Sequence, residues 1–251
     1  MKIMIITGAS SGMGKEFVTY LDQKCNDVDE IWTIARRAKD VSFPNTKAKI
    51  VPLAYDLTKE VDMKALADRL EVHKPSIKVL VNCAGFGKVG PFGEISIASQ
   101  SEMVQLNDVA LMQMCYHCIP YMVAGGYIIN LASSAAFLPQ MRFAVYAASK
   151  SFVLSFSKAL HYELKDRGIS VTAVCPGPVD TEFFAVAEEN DRSFGFKSFF
   201  MAKPDKVVKH AVFCAQNRKQ VAIYGASMKG FNLLCKVIPH RLIMDVYDQM
   251  I

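Results

Sequence analysis

The run Ile3-Met4-Ile5-Ile6-Thr7-Gly8-Ala9-Ser10-Ser11-Gly12-Met13-Gly14 decides how the rest of the chain is read. A short apolar run ends at Thr7 and is followed at once by glycines at positions 8, 12 and 14. The run fits a strand buried on both faces. The glycines let the backbone adopt positive φ and approach a ligand closely. From Gly12 the pattern becomes helical, so the turn brings free N–H groups and the positive end of a helix dipole to one point. Such a point holds an anion, and a pyrophosphate in particular. This is not a Walker loop, because Lys15 is followed by Glu16 where a Ser or Thr would hold magnesium. The spacing also differs from the G-x-G-x-x-G form of the dinucleotide turn.

Beyond this turn, short β-branched runs alternate with longer helical patterns. Strands are expected at Ile3–Thr7, Glu30–Ala35, Lys49–Ala54, Val79–Asn82, Tyr127–Leu131, Ser170–Val174 and Gln220–Ile223, with helices beginning near Gly12, Lys59, Ser99, Phe143 and Pro204. The alternation specifies one α/β domain over residues 1–251: a Rossmann-like, doubly wound parallel sheet of about seven strands with helices on both faces. Two stretches break the rhythm. Residues 176–203 form a long connection carrying Phe183, Phe184, Phe194, Phe196, Phe199 and Phe200, and a loop of that length is usually functional, here a substrate lid. The C-terminal extension, about 227–251, places Leu233, Leu234, Val237, Leu242 and Val246 at helical spacing among Lys236 and Arg241. Packing or a subunit contact is expected there in preference to a membrane surface.

Composition narrows the class. The chain has 251 residues, 51% hydrophobic and 21% charged, with a formal net charge of +5 from scattered basic residues. A slight excess of base without a basic stripe argues against nucleic acid as a partner. No stretch approaches the roughly 18 apolar residues of a membrane span. The apolar run before Thr7 is too short for the core of a signal peptide. Seven cysteines at irregular spacing are expected as reduced, mostly buried thiols of a cytoplasmic protein. Cys115 and Cys118 flank His117 in an apolar helix, but no second ligand pair follows, so no metal is expected.

Two further segments carry chemistry. Trp32-Thr33-Ile34-Ala35-Arg36-Arg37 ends the second strand without a carboxylate. An NAD site usually places Asp or Glu here to grip the ribose 2′-hydroxyl, whereas an NADP site places arginine near the 2′-phosphate. Guanidinium forks match phosphate oxygens, so NADP(H) is predicted over NAD(H). In Tyr146-Ala147-Ala148-Ser149-Lys150 a phenol and an ammonium lie four apart on one helical face. A nearby cation favours phenolate and lowers the tyrosine pKa toward working pH, as a general acid/base requires.

Together these segments resemble the classical short-chain dehydrogenase/reductase family, from Lys2 to about Tyr224. Thr7–Gly14 is similar to that family's T-G-x-x-x-G-x-G cofactor turn, which implies Gly8, Ser10, Ser11, Gly12, Met13 and Gly14 as cofactor residues. Asp56-Leu57 resembles the pair beside the adenine ring. Asn82-Cys83-Ala84-Gly85 is similar to the N-N-A-G segment, with Cys83 in place of the second asparagine. Pro176-Gly177 with Val179 and Thr181 resembles the segment that meets the nicotinamide. Asn107, in Leu106-Asn107-Asp108-Val109, matches the helix asparagine of the catalytic tetrad, and Tyr146 and Lys150 match its tyrosine and lysine. The tetrad serine usually precedes the tyrosine by thirteen positions, which selects Ser133; its neighbour Ser134 stays open as an alternative.

The resemblance implies hydride transfer between a nicotinamide and a carbonyl or secondary alcohol. Tyr146 would exchange the proton, with Lys150 depressing its pKa and gripping the nicotinamide ribose. Ser133 would hydrogen-bond the reacting oxygen, and Asn107 would hold a water that feeds protons to Lys150. Phe137, Met141, Phe183 and Phe184, with Phe86 and Phe143, point to a greasy cleft. A small apolar substrate is therefore expected, hydroxysteroid-like or fatty and so part of lipid metabolism, with 3-oxoacyl-thioester reduction as the alternative. A non-catalytic NADPH-sensing protein of the same fold is the reading from another class. Family likeness also implies a homodimer or homotetramer through the helices starting near Ser99 and Phe143.

Overall fold

The computed structural model describes residues 1–181, 183 and 201–249. Seven strands form one parallel sheet, β1 (Lys2–Thr7), β2 (Glu30–Ile34), β3 (Lys49–Leu53), β4 (Ser76–Asn82), β5 (Met122–Leu131), β6 (Ser170–Val174) and β7 (Val221–Ala222). Their order is β3-β2-β1-β4-β5-β6-β7, so the winding reverses between β1 and β4. Ligands bind at such a reversal, outside the carboxyl ends of the strands. Ile3, Met4, Ile5 and Ile6 are all fully buried, and their alternation feeds both layers. Ile3 and Ile5 pack with Trp32, Leu66 and Leu80, while Met4 and Ile6 pack with Phe17, Leu21 and Val208.

Helices α1 (Gly12–Lys24) and, late in the chain, α6 (Pro204–Gln216) cover one face. The other face is covered by α2 (Glu60–His73), α4 (Leu111–Cys118) and α5 (Ala144–Glu163). A shorter helix, α3 (Ile97–Val104), starts at Ser96, whose hydroxyl accepts a 3.3 Å hydrogen bond from the Ser99 amide. It runs through a π-helical stretch, Gln105–Ala110, directly into α4. The C-terminal extension forms α7 (Ala226–Val237) and α8 (His240–Asp248). Among the described residues, no helix is long and apolar enough to cross a membrane.

The sheet departs from the sequence reading at two strand starts. β4 begins at Ser76 and β5 at Met122, both earlier than expected, because Ile77 pairs with Met122 before the register shifts. Gly125, at φ +81°, and Gly126 sit inside β5, where they read from sequence as a strand boundary. Within the core, Asn82 donates to Asn130 Oδ1 (2.9 Å), and Asn130 donates to Ser157 Oγ (2.9 Å). These bonds tie β4, β5 and α5 together below the site. The seven cysteines are unpaired, and Cys115 faces this amide pair.

Asp108, in the π stretch, is a costly group in this core. It is buried, and its Oδ1 has no hydrogen-bond partner among the described residues. Burial pushes its carboxyl up to about 6, although the charge of Lys150 pulls the other way. Between about pH 4 and 6 the folded protein retains a proton on Asp108 that the unfolded chain releases. Stability therefore falls as pH rises through that window, and the whole cost is present above it. Asp108→Asn is expected to stabilise the protein at pH 7 by about 1–3 kcal/mol, with the gain shrinking as pH is lowered toward 4. Urea unfolding of both proteins across that range measures it.

Candidate active site

The glycine turn closes the carboxyl end of β1. Gly8 sits at φ +66°, and a Cβ there would lie 2.8 Å from the Ala84 amide nitrogen. A Cβ at Gly14 would collide with the Gly8 carbonyl, so α1 starts hard against the turn. Thr7 Oγ1 accepts hydrogen bonds from the amides of Cys83 (3.0 Å) and Ala84 (3.1 Å), which locks the end of β1 to the segment after β4.

Above this lock lies a cleft of about 280 Å³. Its walls include Gly8, Ser10, Ser11, Gly12, Met13 and Gly14 of the turn, Arg36 and Arg37 after β2, Asp56 and Leu57 after β3, Ala84 and Gly85 after β4, and Thr181. The structure thus gathers these predicted residues around one space. Tyr146 and Lys150 lie outside this lining, next to Phe183 and Gly85, and four others stand behind it. Asn82 is buried in the sheet and spends its amide on Asn130, so its side chain supports the cleft and does not line it. Val179 is buried and forms a bridge to Ala202. The Pro176 carbonyl accepts the Ser134 amide (2.8 Å), and the thioether of Met228 fills the space beside Gly177. The lining also includes Tyr55, Glu102 and Leu106, which sequence reasoning missed. Leu106 and Glu102 precede Asn107 by one and five positions on the same helical run, and that spacing was the available signal.

The charged walls of the cleft carry opposite signs. Arg36 Nη1 lies 3.9 Å from Glu102 Oε1. Burial raises the Asp56 carboxyl, but hydrogen bonds from the Thr58 hydroxyl and amide, together with the charge of Arg36, leave it below the usual carboxylate value.

At the other end, α5 brings Tyr146 and Lys150 together. The Ser133 side chain acts on the Tyr146 phenol and lowers its pKa, and Ser133 Oγ accepts the Ala135 amide at 3.1 Å. Ser134 instead begins a 3₁₀ turn, so the geometry favours Ser133 over its neighbour. Lys150 Nζ donates to the Leu131 carbonyl (2.9 Å) and lies 5.6 Å from the Tyr146 ring centroid. Burial lowers the Lys150 ammonium to about 8, against the opposing pull of Asp108. The expectation that Lys150 depresses the phenol is not met. Burial pushes Tyr146 up to about 12, and the influence of Ser133 offsets only part of it.

Asn107 is fully buried and clamps the Phe86 backbone, accepting its N–H (3.1 Å) and donating to its carbonyl (3.0 Å). Its amide also donates to Ser149 Oγ (3.1 Å). A Cβ at Gly85 would lie 2.8 Å from Asn107 Oδ1 and 3.4 Å from Lys150 Nζ. Only glycine keeps open the space where the cleft meets these residues. The donors, the glycine-lined floor and the arginines at the far wall fit a dinucleotide, with the anionic centre on the turn and the reactive end at Gly85.

The predicted apolar residues divide into groups. Phe143 stacks on Tyr146, with ring centroids 4.2 Å apart and planes at 20°. Phe183 tilts against the same ring at 5.5 Å and also lines the cleft. With Phe86, Val89 and Met103 they form a small apolar cluster apart from the two main layers. Phe137 belongs instead to the main core and meets Phe231 of α7 at 6.3 Å. Met141 is half-buried. Phe184, Phe194, Phe196, Phe199 and Phe200, and with them most of the 176–203 lid, lie outside the described residues.

Comparison with known proteins agrees with this geometry. Residues 2–192 match the family described as short chain dehydrogenase. An "uncharacterized oxidoreductase" of Staphylococcus epidermidis is 30% identical over 185 residues, covering 72% of this chain and 79% of its own. A short-chain dehydrogenase from Sphingobium yanoikuyae, solved in complex with NADPH, superposes with a TM-score of 0.77 at 26% identity, covering 95% of this chain and 97% of that one. A 3-ketoacyl-(acyl-carrier-protein) reductase from Brucella melitensis, complexed with NADH, gives 0.74 at 25% identity, covering 88% and 95%. The chain belongs to the classical short-chain dehydrogenase/reductase family of oxidoreductases.

Proposed function

We propose that this protein is an NADP(H)-dependent oxidoreductase that interconverts a carbonyl and a secondary alcohol on an apolar substrate. One observation carries the reading: Tyr146 and Lys150 stand beside Phe183 and Gly85 at one end of a cleft whose other end is walled by Arg36 and Arg37. The cofactor, when bound, supplies and takes back the hydride. The chain handles the proton. With its phenol held protonated by burial, Tyr146 is an acid, suited to giving its proton to a carbonyl oxygen in the reductive direction. The Ser133 hydroxyl, whose influence lowers the phenol's pKa, would share the charge that grows on the same oxygen. Lys150 has its ordinary pKa lowered to about 8, so it is cationic at neutral pH and favours the phenolate left behind. Asn107 orients the Phe86 segment and bounds the space around Lys150.

The apolar cluster around Tyr146 supports a hydroxysteroid-like or fatty substrate. The likeness to a 3-ketoacyl-(acyl-carrier-protein) reductase supports a 3-oxoacyl thioester as the second reading. The arginine pair supports NADP(H), while the two similar structures hold NADPH and NADH respectively. Met112 and Tyr116 on α4 and Phe152 and Tyr162 on α5 are exposed, which supports a homodimer or homotetramer built through these helices. Seven free thiols suit a cytoplasmic location.

The deciding experiment is a panel of ketones and alcohols, run in both directions with NADP and NAD. Oxidation of NADPH by apolar ketones is expected, and tight NADPH binding without turnover on any member would favour a sensor. Tyr146→Phe should lower turnover by about 10²-fold or more while the dissociation constant for NADPH stays nearly unchanged; equal turnover would remove Tyr146 from the mechanism. Arg36→Asp should weaken NADPH and strengthen NADH, seen as a reversed ratio of kcat/KM for the two cofactors. An unchanged ratio would mean that the arginine does not read the phosphate.

A further inference from the structure

The adenosine-side wall of the cleft carries a carboxylate opposite its arginine. Glu102 projects from α3, and Arg36 follows β2 on the other side; both line the cleft, and Glu102 Oε1 lies 3.9 Å from Arg36 Nη1. Both side chains are half or more exposed, at 50% and 71%, so the pair is open to solvent and to an incoming ligand. Arg36 is shared: its charge also acts on Asp56. Asp56 is otherwise engaged, with Oδ1 accepting the Thr58 amide at 3.0 Å and hydroxyl at 2.7 Å. Among the described residues, the Glu102 side chain pairs with Arg36 alone. The end of β2 lacks the acid that reads an unphosphorylated ribose, yet α3 presents one beside the same guanidinium.

We propose that Glu102 sets the balance between the two nicotinamide cofactors by competing with a ribose 2′-phosphate for Arg36. The proposal rests on the cofactor reading above. A carboxylate and a phosphate of about −2 charge repel each other across one guanidinium, whereas a 2′-hydroxyl carries no charge and meets no such penalty. Arg36 draws the 2′-phosphate in, and Glu102 holds part of that attraction back, so NADH keeps a share of the site. Because the pair is exposed, its effect is modest and sensitive to salt. Exposed ion pairs correspond to about a two- to five-fold change in an equilibrium constant.

Glu102→Gln keeps size and polarity and removes the charge. Dissociation constants for NADPH and NADH would be measured by nucleotide fluorescence titration on the wild type and this variant, at about 50 mM and about 1 M salt. The expected result at low salt is NADPH binding tightened about two- to five-fold, with NADH changed less, and the gain shrinking at high salt. A purely structural role for Glu102 would move both cofactors together and would not respond to salt. If the wild type binds NADPH and the variant shows the same NADPH-to-NADH ratio, the proposal is overturned and the cofactor reading stands. If the wild type binds neither nucleotide, the cofactor reading falls and the proposal with it. Glu102→Ala, at the same exposed helical position, should reproduce the shift in ratio; a shift in the glutamine variant alone would also overturn the proposal.

Discussion

The close approach of two backbone segments, at Gly8 and Ala84, organises the whole site. The gap leaves no room for a side chain at Gly8, and Thr7 Oγ1 holds it shut by accepting two amides from the opposite segment. That lock is possible because β1 and β4 are neighbours at the point where the winding reverses. Its consequences run outward along the chain. One residue beyond Ala84, Gly85 leaves open the space beside Asn107 and Lys150; one further, Phe86 is clamped at both backbone groups by Asn107. A single continuous segment therefore spans from the glycine turn to Lys150. Displacing either strand end by a fraction of an ångström would be felt at both.

Burial, more than charge, sets the chemistry at the reactive end. Tyr146, Lys150 and Asp108 all sit in low-polarity surroundings, and for each the cost of carrying charge is the largest influence on its pKa. The phenol rises, the ammonium falls and the carboxyl rises, so all three drift toward neutral forms. Lys150 stays cationic at neutral pH partly because Asp108 opposes the effect of burial. The stacked ring of Phe143 and the tilted ring of Phe183 contribute to this dryness while offering an apolar surface next to the proton donor. One set of side chains thus both raises the Tyr146 phenol and presents an apolar surface beside it.

Much of this was legible in the amino-acid sequence because backbone demands leave local traces. Glycines where a Cβ would collide, β-branched runs buried on both faces, and a Tyr–Lys pair one turn apart each follow from short-range geometry. Strand starts at Ser76 and Met122 were not legible, since a register shift between partners leaves no mark on either strand alone. The side-chain direction of Asn82 was hidden for a similar reason: a residue beside a cleft can face the cleft or the sheet, and only the position of Asn130 decides. The sign of the Tyr146 shift also escaped, because sequence spacing reports a neighbouring cation and says nothing of how much water has been removed. Glu102 was missed because its partner, Arg36, lies on a different element far away in sequence.

The walls of the cleft therefore differ in their physics. At the turn and at Gly85 the fit is steric and set by backbone, so a substitution there meets immovable atoms. At Arg36 and Glu102 the fit is electrostatic, carried by flexible, solvent-exposed side chains whose interaction is weakened by screening. A steric site changes ligand only by rebuilding the fold around it, whereas a charged pair on the surface changes preference with one substitution and little cost to stability. The backbone around the turn and Gly85 can then stay constant while the charge at the Arg36 wall changes. In this chain the two kinds of wall are carried by different elements, the steric one by the β1 and β4 ends and the charged one by Arg36 after β2 and Glu102 of α3.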